Sequence, residues 1–155
     1  MITHKKMNLQ KRIAVVAQEE YKTDLINWAY FNRATLSKHR LVSTAEIGRI
    51  LEGTANSPVT KLEGSRNGGY SQLAKMISAG EIDLIVFFCN PFDAFIAEGE
   101  IKSLHMIAGK NNLVIATNKL SADFVISSAL MDAQPGFNES VLVRTNAPKT
   151  DYSIN

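Results

Sequence analysis

Lys22, Thr44 and Gly64 are residue types from which an anion pocket is assembled: a cation, a hydroxyl, and a backbone N–H left open by a missing side chain. Each follows shortly after an apolar or strand-like run. Two carboxylates, Glu46 and Glu63, stand beside them and oppose that chemistry. Facing a phosphate dianion, each would cost roughly several kcal/mol at about 5 Å and an effective dielectric of about 20. Glu46 and Glu63 carry two readings of equal weight, solvated surface charge or pocket lining. If both enter, the pocket prefers a cation or a polar neutral molecule. Lys22 is read as an anion anchor by a small margin over a solvated first-turn lysine. Glu100 is either a hydrogen-bond acceptor or, the favoured reading, a carboxylate serving the positive end of a helix. Tyr70 follows the glycine pair 68 and 69. With an ordinary pKa of about 10, a phenol is a poor base at neutral pH.

Other chemistry is scarce. The single cysteine, Cys89, excludes an internal disulfide and a multi-cysteine zinc site, and its place at the end of an apolar run reads as a core thiol. Histidines 4, 39 and 105 lack metal-ligand spacing, and His105 among Ile101, Leu104 and Ala108 reads as a packed histidine. No metal site is expected. Among 155 residues, 17 basic and 15 acidic side chains leave a formal charge of +2, too small to argue for nucleic acid or a membrane surface. No apolar run is long enough to span a bilayer, and residues 1–10 lack a secretory apolar core. A cytoplasmic protein is expected.

The elements that must position these residues are legible as alternation. Three apolar runs rich in Val and Ile, at 13–17, 83–88 and 113–117, suit strands buried on both faces. Weaker strands are expected at His39–Ser43 and Pro58–Leu62. Helical spacing is found over Tyr21–Phe31, over Ala45–Leu51 (capped by Thr44 and ending at Gly53), over Tyr70–Ser78 and over Glu100–Ala108. A last helix is expected from a Ser121 cap through Leu130, with Asp123 at its positive end. A short strand is expected at Ser140–Arg144. The prediction is an α/β three-layer sandwich, a parallel sheet with helices on both faces. One domain is expected over 11–145, between a polar extension at 1–10 and a frayed tail at 146–155. Ligands of such folds collect at the carboxyl ends of the strands.

Those loops carry a resemblance. Ile13–Ala17 with Lys22, the Thr44 turn to Gly48, Leu62-Glu63-Gly64, Ile85–Phe88 with Asn90-Pro91, and Ala116–Asn118 through Ala122–Phe124 together resemble the methylglyoxal synthase family. The resemblance runs from about Lys11 to Ser128. It implies a five-stranded parallel sheet and a homo-oligomer, usually a hexamer. It also implies conversion of dihydroxyacetone phosphate to methylglyoxal and phosphate without metal or cofactor. In that reaction a carboxylate removes a carbon-bound proton, the enediolate is stabilised and phosphate leaves.

The same resemblance marks replacements. Tyr70 stands where the family has its aspartate base, and Asn90 where a second aspartate precedes the proline. Gln18 and Ala97 stand where it has histidines. Glu46 with Ile47 replaces a pair of hydroxyl residues, and Glu63 replaces a serine, whereas Lys22, Thr44 and Gly64 match. Glu100 corresponds to an acidic position. The leading expectation is a family member with impaired or absent synthase activity that binds a small ligand. One alternative is an active synthase with relocated carboxylates such as Glu63 or Glu100. Another is a lyase or isomerase acting on an unphosphorylated carbonyl, with Glu63 as base and Tyr70 as proton donor.

Overall fold

The structure is a computed structural model, and it describes residues 10–90 and 98–132. Strands β1 (Arg12–Ala17), β2 (Arg40–Ser43), β3 (Val59–Lys61), β4 (Leu84–Phe88) and β5 (Val114–Ala116) form one parallel sheet in the order β3-β2-β1-β4-β5. Between them run α1 (Lys22–Phe31), α2 (Arg33–Leu36), α3 (Ala45–Ala55), α4 (Gly69–Ser78), α5 (Glu98–Lys110) and α6 (Lys119–Ile126).

Alternating side chains of the sheet feed two cores. Ile13, Val15 and Ala17 of β1 pack with Leu25 and Trp28 of α1, Ile47 and Leu51 of α3, and Ala122 of α6. Ala14 and Val16 face the other way, onto Leu73 and Ile77 of α4 and Ile101 and Leu104 of α5. Helices therefore cover both faces, and the expected three-layer sandwich with five parallel strands is what the chain forms. No helix among the described residues is long and apolar enough to cross a membrane.

Several boundaries differ from the sequence reading, for local reasons. Helix α3 does not stop at Gly53; it runs to Ala55 and is closed by Asn56 in the left-handed region, φ 50°. Ala55 continues the buried row Ile47, Leu51, Ala55, and its burial outweighs the roughly 1 kcal/mol helix penalty of glycine. Thr44 occupies the cap position but makes no side-chain capping bond. Helix α6 is capped by Asn118 rather than Ser121: the Asn118 side chain accepts the Ser121 N–H at 2.8 Å. It ends at Ile126, short of Leu130, which falls in a 3-10 turn at Ala129–Asp132. Asp123 consequently lies past the first turn, and its Oδ1 accepts Trp28 Nε1–H at 2.9 Å, joining α1 to α6. The segment expected as strand Ser140–Arg144 lies outside the described residues.

Candidate functional site

Strand β1 sits at the point where the strand order reverses, with β2 on one side and β4 on the other. A crevice outside the carboxyl ends of two such strands is the usual ligand position in open parallel sheets. Here the opening is bridged by Gln18, the first residue after β1. Its backbone N–H donates to Phe88 O at 3.1 Å, and its Oε1 accepts the Asn90 backbone N–H at 2.9 Å. That second bond fixes which way the amide points. Gln18 is 4% exposed, and its Nε2 has no hydrogen-bond partner among the described residues. A buried donor left open in this way is uncommon and costs free energy unless a ligand satisfies it.

Gln18 lines a cleft of about 590 Å³ together with Glu46, Ser65, Arg66, Tyr70 and Glu100. Glu46, in the first turn of α3, reaches over to the turn that follows β3. Its Oε1 accepts the Ser65 backbone N–H at 3.0 Å. A methyl group on Gly64 would stand 3.0 Å from its Oε2, so the carboxylate rests against the open face of that glycine. Partial burial pushes the Glu46 carboxyl up, but hydrogen bonds from the Ser65 N–H and from the hydroxyls of Thr44 and Ser65 outweigh it and hold the group below the ordinary carboxylate range. The turn itself is tight. Gly69 N–H donates to Gly64 O at 3.0 Å, and a methyl group on Gly69 would come within 2.3 Å of Glu63 O.

Tyr70 opens α4 and is 7% exposed, with its ring 5.4 Å from that of Phe87. Burial, reinforced by the negative charges of Glu46 and Glu100, pushes its phenol up to about 12. Cys89 is buried beside it, and desolvation pushes its thiol up to about 12 as well. His105 packs near Phe87, with Nδ1–H donating to Ile101 O at 2.9 Å.

The structure thus brings together five of the residues singled out from the sequence: Gln18, Glu46, Ile47, Tyr70 and Glu100 all line one cleft. Thr44 is buried beneath Glu46, and Gly64 carries the turn against which Glu46 rests. Lys22 and Glu63 are not part of this lining. Lys22 Nζ lies 2.8 Å from Glu19 Oε2, an i,i+3 ion pair. The Glu63 side chain is exposed, and its backbone is what binds: N–H to Gln72 Oε1 at 2.7 Å. Asn90 lines a second cavity, of about 650 Å³, on the α1 and α6 side of the sheet with Trp28, Phe31 and Lys119. Ala97 lies outside the described residues. Ser65 was not anticipated, although its place directly after Gly64 in a turn rich in glycine was the available signal. Among the described residues no cluster of His, Cys, Asp and Glu has the arrangement of a metal site.

Comparison with known proteins agrees with this geometry. No protein-family model matches the chain. It is 36% identical over 132 residues to the methylglyoxal synthase of Erwinia tasmaniensis, covering 85% of this chain and 87% of that one. Against the methylglyoxal synthase of Photorhabdus laumondii it is 34% identical over 140 residues, 90% of this chain and 88% of the other. The crystal structure of methylglyoxal synthase from Elizabethkingia anophelis superposes with a TM-score of 0.74 at 30% identity, covering 81% of this chain and 82% of that one.

Proposed function

Because the chain belongs to the methylglyoxal synthase family, we propose that it is a member whose synthase activity is impaired or absent and which binds a small ligand in the cleft beyond the carboxyl ends of β1, β2 and β3. The observation that carries this reading is Tyr70. The family reaction needs an unprotonated group to take a proton from carbon. A phenol pushed up to about 12 is ionised in roughly one molecule in a hundred thousand at pH 7. The groups around it do not repair the loss. Gln18 offers an amide where a histidine would move protons, and Glu46 holds its hydrogen bonds as a charged acceptor at the Ser65 N–H. Purified protein incubated with dihydroxyacetone phosphate is expected to form no methylglyoxal above the uncatalysed rate. Turnover at ordinary enzyme rates would overturn the reading.

A second reading is favoured by one observation, that Glu100 lines the same cleft as Tyr70. In it the protein is an active synthase whose base has moved to Glu100. Glu63, the other relocated carboxylate considered, has an exposed side chain outside the lining. This reading requires that Glu100→Gln abolish a measurable turnover that Glu63→Gln leaves intact. The proposal extends to a cytoplasmic homo-oligomer, a hexamer as is usual in the family; light scattering on the purified protein tests it, and a monomer would exclude it.

A further inference from the structure

Resting on the reading of this cleft as a ligand site, we propose that Glu46 is its specificity-determining residue: a carboxylate tethered to α3 that occupies the anion-holding corner of the cleft and turns anionic ligands away. The corner has the ingredients of an anion cradle. It lies at the positive end of α3, an eleven-residue helix, and at a glycine turn whose Ser65 N–H is directed into it. That donor is already taken by Glu46 Oε1 at 3.0 Å, while Oε2 fills the space that Gly64 leaves open. The protein therefore supplies its own anion. Gln18 shows independently that the cleft is built for a guest. Its amide is fixed by Asn90, is 4% exposed, and keeps one donor nitrogen without a partner among the described residues. The carboxylates at Glu46 and Glu100 recognise an uncharged, hydroxyl-bearing molecule, whose hydroxyls donate to the glutamates. A second negative charge brought beside Glu46 meets repulsion and finds the Ser65 N–H occupied.

Inorganic phosphate is the probe. Titrated into the intact wild-type protein, it is expected to leave the Ser65 amide resonance unmoved. In Glu46→Ala the same resonance is expected to shift and saturate, with phosphate bound at least about tenfold more tightly than by wild type. Glu46→Gln, which keeps the shape but removes the charge, is expected to show a smaller gain and covers the case in which the alanine variant fails to fold. Wild type binding phosphate as tightly as the variants, or a Ser65 amide that ignores phosphate in both variants, would overturn the proposal. Methylglyoxal formation, scored in a separate reaction, bears on the activity reading and not on this one.

Discussion

The two ends of the central strands β1 and β4 are built on opposite plans. At the amino end, Arg12 and Asp83 close the pair: the Asp83 carboxylate accepts the Arg12 backbone N–H at 2.8 Å and its guanidinium at 3.0 and 2.9 Å. Beside them His39 Nδ1 accepts the Lys11 N–H at 2.9 Å. At the carboxyl end the corresponding bridge is Gln18 to Asn90, a neutral bond that leaves Nε2 open, with an acidic cleft alongside. Even the amino end keeps one loose group, as Lys11 Nζ is buried without a hydrogen-bond partner among the described residues, but Asp83 and Asp132 act on it electrostatically. Each end keeps one buried donor without a hydrogen-bond partner among the described residues, but the amino end is clamped by three bonds to one carboxylate, whereas the carboxyl end is bridged by a neutral amide beside a cleft that a ligand can enter.

The sharpest way to break the contrast is Asp83→Ala. It strands Arg12 and removes three hydrogen bonds, and about 3 kcal/mol of stability should be lost in urea unfolding. A loss near zero would mean that the amino end is not the tied one. His39 gives a weaker signature at the same edge. Burial, followed by the charge of Lys11, lowers its pKa below the usual 6.5. The folded state then binds fewer protons than the unfolded one. Stability from this source is complete above about pH 6.5 and is lost as pH falls toward the folded pKa. His39→Asn keeps an acceptor for Lys11, so the urea midpoint of the variant should fall less between pH 7.5 and 5.5 than that of wild type.

At the carboxyl end, Gln18→Leu removes a half-satisfied amide along with its bond to Asn90, and stability should change by less than about 1 kcal/mol. A larger loss would erase the distinction between the two ends. Smallest of all is the acid response of Glu46. Its folded pKa is depressed, so the stability it contributes is present above about pH 4.5 and disappears as pH drops through the folded value. Glu46→Gln should flatten that part of the acid limb, seen by circular dichroism between pH 5 and 3, and an unchanged limb would count against the Ser65 bond.

Much of this was legible in the sequence where burial is uniform. Strands β1 and β4 are covered on both faces, so they read as unbroken apolar runs. The edge strand β3 is a weaker signal because Thr60 and Lys61 face water, whereas 113–117 reads as a strand buried on both faces and instead forms the edge strand β5, with Val114 exposed. At the site, positions were legible and directions were not. Glu46 and Glu63 look alike in sequence, yet one folds onto the Gly64 turn and the other points to solvent. Lys22 stands three residues after Glu19, and at that helical spacing the carboxylate engages its ammonium in this structure. The bond from Trp28 to Asp123 spans 95 positions, and nothing local announces it.

Cys89 follows β4 directly and lies between Phe88 and the residue latched by Gln18. Thiols attack electrophiles as thiolates, and a sulfur desolvated to about 12 is silent while covered. Its alkylation is therefore a clock: each modification marks an excursion in which the carboxyl end of β4, beside the cavity that Cys89 lines with Trp28, has been uncovered.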